Sequence, residues 1–422
     1  MVPTMERLGA LGERNFRLLF IGRTLSLAGS TLAPVALAFA VIDLTGSPSD
    51  LGLVLAAIVL PQLGFLLIGG VVADRLPRHL TMIVSDLVSG AAQGAIALLL
   101  LTGNAEIWHL IVLAAVRGAA AAFFFPAVAG IVPQTVSAGR LQQANALLGL
   151  SRNGTSVGGA ALGGLLVAAV GPGWTLAVDA ATYGLGAIFL AFLSIPRRAR
   201  LEERHFLREL AEGWSEFRSR TWLWAIVLEF AFINAVAVSA FLVLGPFVAE
   251  RSLGGAAAWG LILSAQAAGL VAGGLLGLRF RPRRPLLTGT LAIGLTALPL
   301  MLLALSAPVL AIMSAAFLAG IGIELFDVLW HTTMQEQIPE DKLSRVSSYD
   351  WLGSLALVPI GAAVIGPVAA VAGTAETLWA AAAVVAVASL AVLGVNDVRT
   401  LSRSKSGRAG ALILDSDARR AD

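Results

Sequence analysis

An all-helical membrane bundle of twelve crossing spans, arranged as two parallel six-helix repeats, is the fold this sequence predicts. Three observations carry it. Of the 422 residues, 57% are hydrophobic and 13% charged, with a mean hydropathy of +0.84; a soluble domain is roughly 45–50% apolar and about 25% charged. Apolar runs near 20 residues, enough to cross roughly 30 Å of hydrocarbon, recur twelve times. When those runs are threaded alternately across a membrane, the basic residues between them collect on one side. A water-soluble globule is excluded. So is a β-barrel, because no segment of about ten residues alternates in polarity.

The first six spans cover 16–42, 51–73, 80–102, 107–132, 141–170 and 174–195. The second six cover 222–249, 258–278, 286–306, 308–333, 345–371 and 375–395. The first span is too long for the apolar region of a cleaved signal and lacks a small-residue cleavage site. Of the 29 Lys and Arg, 25 lie in segments on the N-terminal side, Arg251 falls in a loop on the other, and Arg23, Arg117 and Arg152 lie within spans. This asymmetry is the positive-inside pattern. It places both termini in the cytoplasm and the chain in a plasma or inner membrane. The pI near 9.9 is therefore a topology signal, and no nucleic-acid partner is expected.

These spans divide the chain into residues 1–195, a linker 196–221, residues 222–395, and a polar tail 396–422 read as disordered. In the linker, Leu207, Leu210, Trp214 and Phe217 recur at helical spacing among Glu and Arg. That pattern fits an amphipathic helix on the inner membrane surface and equally a solvated charged linker. The two halves echo each other. Val132-Pro133, Arg140 and Asn145 are matched by Ile338-Pro339, Arg345 and Asp350, and Gly69-Gly70-Val71-Val72 by Gly273-Gly274-Leu275-Leu276, at offsets of about 206 and 204 residues. Parallel repeats about an axis along the membrane normal are the architecture of many secondary transporters.

After the second span the chain reads Gly69-Gly70-Val71-Val72-Ala73-Asp74-Arg75-Leu76-Pro77-Arg78-His79. Positive-inside decoration accounts for Arg75 and Arg78 but not for Asp74 and the glycines. An acid in such a turn can sit against a helix N-terminus, worth about 0.3–1 kcal/mol when exposed, and the arginines can bridge to the other half when that side closes. Gly70, Asp74, Arg75 and Arg78 match the G-x-x-x-D-R-x-G-R-[KR] loop, so the chain resembles the major facilitator superfamily. Pro77 replaces the second glycine and His79 the last basic residue; in the second repeat Leu278 stands where the acid would be.

The resemblance implies the superfamily's twelve-helix fold, and gating by Gly70, Asp74, Arg75 and Arg78. In the fifth span, Gly159, Gly163 and Gly164 resemble the G-P-x-x-G-G element of the superfamily's drug exporters, with Ala160 in place of proline; small residues four apart also let helices pack closely. Pro359-Ile360-Gly361 and Gly366-Pro367 in the eleventh span can flex a helix at a moving interface. Together with Gln337-Ile338-Pro339 and the Leu343–Ser348 run, they are similar to the branch containing the enterobactin exporter and macrolide-efflux proteins.

Ionisable residues inside spans cost roughly 2.5–3.5 kcal/mol each on insertion scales and by default face a cavity. Arg117, ten residues into the fourth span, resembles the intramembrane arginine of the superfamily's exporters. Glu324, Asp327 and His331 share one helix face by their i, i+3, i+7 spacing and are candidates for proton exchange or for gate ion pairs. Glu229 and Arg152 are further candidates for the coupling site or cavity. Arg23 and Asp179 are close enough to span ends to reach water, and Asp43 belongs to an outer loop. Phe123, Phe124 and Phe125 could line an apolar pocket but equally pack or face lipid.

Gly154-Thr155-Ser156-Val157-Gly158 fits the G-x-S-x-G nucleophile elbow, but that motif needs a strand and a sharp turn. The sequence contains no phosphate loop, no cysteine and four scattered histidines. The expectation is a secondary active transporter without enzymatic activity, cofactor or metal, monomeric, driven by an ion gradient, most simply protons. Its partners are a small-molecule substrate and the bilayer. Export of a medium-sized, partly apolar compound, such as an antibiotic or siderophore, follows from the resemblance. An importer of a polar solute, or a lipid-moving or non-transporting interaction protein, would share the fold.

Overall fold

The computed structural model describes residues 9–195 and 214–402, without the side chains of 66–75, 125–126, 129–130, 138, 340–341 and 344. Eleven stretches among the described residues are long and apolar enough to cross a membrane. They are α1 (Arg14–Thr45), α2 (Pro48–Arg75), α3 (Arg78–Leu101), α4 (Ile107–Ile131), the 51-residue stretch Leu141–Ala191, α7 (Thr221–Leu253), α8 (Gly255–Arg279), α9 (Pro285–Ala304), α10 (Val309–Gln337), α11 (Arg345–Ala372) and α12 (Thr374–Leu393). The expected twelve are recovered because the 51-residue stretch is two helices. Gly171 has φ 83° and ψ 168°, a conformation that favours glycine, and Pro172 follows without an N–H to continue the ladder.

Packing against α1 shows that the chain reverses there. Along 141–170 (α5), Ser151 meets Thr24 with the hydroxyls 2.7 Å apart, Gly159 abuts Thr31, and Gly163 lies against Leu32. The residue numbers rise together, so α5 runs parallel to α1. Along 172–191 (α6), Gly186 abuts Gly22 while Asp179 and Thr182 abut Gly29, so α6 runs antiparallel to it. Each observed helix end falls within four residues of its expected place, α5 and α6 meeting at the break.

Alternating helix directions bring the connections 76–77, 132–140, 280–284 and 338–344, with the start of α7 at Thr221, to one end of the bundle, called here the basic end. The two six-helix halves touch mainly away from it. Gly52 on α2 packs on the Ala362 backbone of α11, Gly366 on Ser49, and Gly164 on α5 against Ala256 and Gly260 of α8. Ser264 donates a hydrogen bond across the halves to the Val157 carbonyl. These contacts occupy the far portion of each helix, and the buried core that joins the halves includes Val35, Val41, Val54, Val243 and Leu244. Toward the basic end the first half closes on a separate core of its own, with Phe16, Leu19, Met82, Ile131 and Leu190. Gly149, Gly154 and Gly158 on α5 meet nothing there. Among the described residues, the close contacts between the halves thus lie toward the far end, and α5 is open toward the basic end.

The linker reaches the second half as a short helical turn. Leu207 and Leu210 lie outside the described residues. Trp214 and Phe217 stack on each other with centroids 5.6 Å apart, and Tyr349 lies 5.4 Å and 6.0 Å from them; Phe217 is buried. This turn therefore packs on protein. Glu216 accepts from Lys342 Nζ at 2.8 Å and from Arg220 Nη2 at 2.6 Å. Lys342 first, then Arg220, hold its carboxyl below the ordinary glutamate range. The attachment is thus complete above the unfolded value, about pH 4.3, and is lost only as pH falls through the lowered one. Glu216→Gln is expected to loosen the turn by ~0.5–1 kcal/mol, raising tryptic cleavage after Arg218 and Arg220 about two- to fivefold at neutral pH; unchanged cleavage would mean the rings alone hold it. At the other terminus, the short helix Asn396–Thr400 with buried Val398 extends the fold past the expected start of the tail; residues 403–422 are outside the described ones.

Candidate functional site

At the basic end of the second half, α7, α10 and α11 enclose a cavity of about 330 Å³. Helix α7 leaves regular α geometry at this depth through a π turn, Ile233–Val238, a feature often found at functional sites. Asn234 in this turn donates to the Ser354 carbonyl at 3.0 Å, tying α7 to α11. Phe230, Phe326 and Trp330 form an aromatic wall, with centroids 4.4 Å apart for Phe230–Phe326 and 6.0 Å for Phe326–Trp330. Trp351 adds an exposed indole.

The helical spacing of Glu324, Asp327 and His331 does place all three in this cavity. His331 Nε2 stands 3.3 Å from Asp327 Oδ1, both half-exposed. Trp330 Nε1 donates to Asp350 Oδ2 at 3.1 Å, and Asp350 is buried. The cavity therefore holds three carboxylates and one imidazole beside a hydrophobic wall. Such a surface can exchange protons with water at the basic end while holding an apolar body against the rings. Asp350 was visible in the sequence only as a repeat marker. Its role as a wall residue depends on Trp330, twenty positions away and on another helix.

The remaining candidates are distributed elsewhere. Arg152 is exposed on α5, in the opposite half. Glu229 is absent from the cavity: it is 2% exposed, accepts from Ser389 Oγ at 2.9 Å, and leaves Oε2 without a partner. Arg117 donates from Nη1 to Gln93 Oε1 at 3.2 Å inside the first half. Gly159, Gly163 and Gly164 sit at tight crossings, as do Gly361 against the Ala235 carbonyl and Gly366 against Ser49. Pro359 occupies the first turn of the helix Val358–Ala372, and Pro367 its interior. The side chains of Gly70, Asp74, Arg75 and Phe125 lie outside the described residues; Arg78 begins α3.

One expectation is overturned. Asp179 does not reach water: it is 0% exposed, and neither oxygen has a hydrogen-bond partner. Arg23 keeps part of its surface exposed, while its Nη1 is buried without a hydrogen-bond partner and the guanidinium lies over the Phe124 ring at 5.7 Å. Close packing of α1 and α6 at Gly29, against Asp179 and Thr182, seals Asp179 from solvent. Asp86, a lone acid in an apolar span, is likewise buried at 3%. Asp43 does fall at the exposed end of α1.

The family model described as Major Facilitator Superfamily matches residues 19–353. The multidrug efflux pump Tap of Mycobacterium tuberculosis (strain H37Rv) is 25% identical over 385 residues, 86% of this chain and 89% of its own length. Macrolide efflux protein A of Streptococcus pyogenes is 26% identical over 219 residues, 50% of this chain and 53% of its own length. A further curated relative is matched over 48% of its length, so the chain spans about half the length of these two. Among solved structures, a single-site mutant of the nucleoside transporter NupG superposes with a TM-score of 0.76 at 11% identity, covering 90% of this chain and 99% of that one. That likeness concerns the fold.

Proposed function

The chain belongs to the Major Facilitator Superfamily, and from that membership we propose that it is a proton-coupled exporter of a medium-sized, partly apolar compound. The chain is a multi-pass membrane transporter; direction, coupling ion and cargo are the proposal. The positive-inside pattern supports a cytoplasmic position for the basic end and both termini, in a cell-membrane protein. The parting at that end is then the inward-facing state, ready to take cargo from the cytoplasm. The observation that carries the reading is the cavity. Its aromatic wall suits an apolar body, its carboxylates suit proton exchange, and its residues lie on the portions of α7, α10 and α11 nearest the basic end. The relative named an efflux pump over most of both chains favours export.

In this mechanism cargo packs against Phe230, Phe326 and Trp330 while the carboxylates Glu324 and Asp327 are free to pair with His331, Arg152 or a cationic group of the cargo. Closure at the basic end and opening at the far end expose the site outside. Protonation of Glu324 or Asp327 there weakens the pairing and releases cargo, and the protons are lost to the cytoplasm after the return. The helix crossings at Gly159, Gly163, Gly361 and Gly366, with Pro359 and Pro367, let the helices at the moving interface pack and bend, while the Gly70, Asp74, Arg75 and Arg78 loop biases which end is closed.

Inverted vesicles energised to an acidic interior, with a fluorescent pH probe and a panel of antibiotics, dyes and siderophores, test this directly. Proton release is expected on addition of a cargo, reduced at least about tenfold, equivalent to 1.4 kcal/mol, in Glu324→Gln or Asp327→Asn. Cargo movement without protons, or uptake of a sugar or nucleoside without efflux of any compound, would replace this reading with a facilitator or importer.

A further inference from the structure

We propose that the turn between α8 and α9 is a docking site for the headgroup of an anionic phospholipid, whose phosphate is held by Arg279, Arg281, Arg283 and Arg284. This surface lies away from the cavity and is independent of cargo, direction and coupling ion.

The charge in this turn has no acid to answer it. Between Glu250 and Glu324 the sequence contains no Asp or Glu, while four arginines fall within positions 279–284. All four are exposed. Among the described residues, none of their guanidinium groups has a hydrogen bond or an ion pair. Other attachments at the basic end carry acids of their own. Arg140 stands 3.6 Å from Glu13, and Lys342 and Arg220 share Glu216 at 2.8 Å and 2.6 Å. Sidedness alone asks only for basic residues near the membrane; it does not ask that their acids be removed.

The repeat shows the same removal. At an offset of 204 residues from the Gly69-Gly70 loop, Leu278 replaces Asp74 and Arg279 matches Arg75. Arg281, Arg283 and Arg284 then stand where the first half has Pro77, His79 and Leu80. One half keeps an acid within the loop. The other has an exposed leucine in its place and three further cations, a loop that an anion from outside the chain completes.

Place and shape select that anion. Helix α8 is 25 residues long, about 37 Å at 1.5 Å per residue. It therefore crosses roughly 30 Å of hydrocarbon and delivers its last residue, Arg279, to headgroup depth. Gly273 and Gly277 turn one face of α8 to α10, where a Cβ would stand 3.0 Å from Glu324 Cβ and 3.1 Å from Val328 Cγ1 respectively. Two residues are about 200° of helix, so Leu275 lies on the opposite face. It is exposed, as are Leu276, Leu278 and Phe280. Cations beside bare apolar side chains at that depth suit a lipid, whose phosphate takes the arginines and whose chains cover the leucines. A free phosphate would leave those leucines bare. The turn is also stiff. Pro282 fixes one φ within it, and Pro285, in the first turn of α9, is buried together with Leu286. The arginines are thus displayed on a preformed loop, and each planar guanidinium can give two parallel hydrogen bonds to phosphate oxygens.

Native mass spectrometry of the full-length protein tests this, with phosphatidylglycerol and phosphatidylcholine of identical chains as probes. Each basic residue near a membrane surface contributes about a fivefold preference for anionic lipid. The wild type is therefore expected to hold phosphatidylglycerol at least tenfold more tightly than phosphatidylcholine. Arg281→Gln combined with Arg283→Gln should lower that preference at least fivefold; if the pair fails to fold, either single variant decides, with at least a twofold loss expected. Arg14→Gln combined with Arg17→Gln removes two exposed cations elsewhere at the basic end and should leave the preference within twofold. No preference in the wild type, or an equal loss in the Arg14 and Arg17 control, would overturn the site. Displacement of the lipid by an equal concentration of glycerol 3-phosphate would overturn it too, in favour of a soluble anion. The readout needs no transport, so failure of proton-coupled export would leave this site standing, and failure here would leave that reading untouched.

Discussion

Gly52→Val is expected to abolish transport while the protein remains folded and inserted. In this structure a Cβ at Gly52 would overlap the Ala362 carbonyl of α11, with the carbonyl carbon 3.1 Å away. That neighbour is helix backbone and cannot rotate aside. The contact is between the two halves, so separating them at the far end relieves it without disturbing packing inside either. Overpacking typically costs about 1–3 kcal/mol, which shifts a two-state equilibrium by roughly 5- to 150-fold. The population should move toward the outward-open state and stay there. Gly164→Val should act alike, since a Cβ there would stand 2.5 Å from the Ala256 carbonyl and 3.0 Å from Gly260 Cα. The chain has no cysteine, so pairs introduced at Arg152 and Asp327 can report closure of the basic end by cross-linking. Efficient cross-linking is expected in Gly52→Val and sparse cross-linking in the parent. Normal transport by Gly52→Val would show that this crossing does not seal the far end.

Much of this was legible in the residues, and the parts that were not share a cause. Span count followed from hydropathy because lipid imposes length and apolarity on each segment separately. The shared face of Glu324, Asp327 and His331 was legible because helical periodicity fixes it locally. The break between α5 and α6 was also legible, as the gap between the fifth and sixth expected spans, 141–170 and 174–195. Asp350 and Trp330 could not be joined by any local rule, since their contact crosses from α11 to α10. Asp86 and Asp179 eluded the sequence for a related reason. An acid seven or eight residues into a span reaches water unless its neighbours close over it, and that closure depends on glycines in other helices. The motif around Gly70 and Asp74 was read from family resemblance, whereas the crossings at Gly52 and Gly361 belong to no motif quoted for the family and emerged from the packing alone.

A buried crossing inside one half should respond differently from one between halves. Gly361→Val is expected to cost the protein its fold rather than shift its conformation. A Cβ at Gly361 would overlap the Ala235 carbonyl, with the carbonyl carbon 2.5 Å and Cα 2.7 Å away. Both helices belong to the second half, so no opening of the transporter relieves the clash. The carbonyl lies in the π turn Ile233–Val238, where the ladder is already widened and α7 carries the wall residue Phe230 and the tie from Asn234 to Ser354. Displacing α11 to make room would pull Ser354 from Asn234 and part the cavity wall at once. The overlap involves backbone on both sides, so the upper end of the overpacking range, about 3 kcal/mol, is a minimum. Against the 5–15 kcal/mol typical of a folded domain this should appear as a lowered melting temperature and reduced membrane yield. Gly361→Ala brings the same first atom and should show most of the loss, while Gly52→Ala should melt near the parent and still cross-link at the basic end. Equal melting of Gly361→Ala and the parent would mean that α11 slides freely past the π turn, and the cavity wall would then be a moving surface instead of a fixed one.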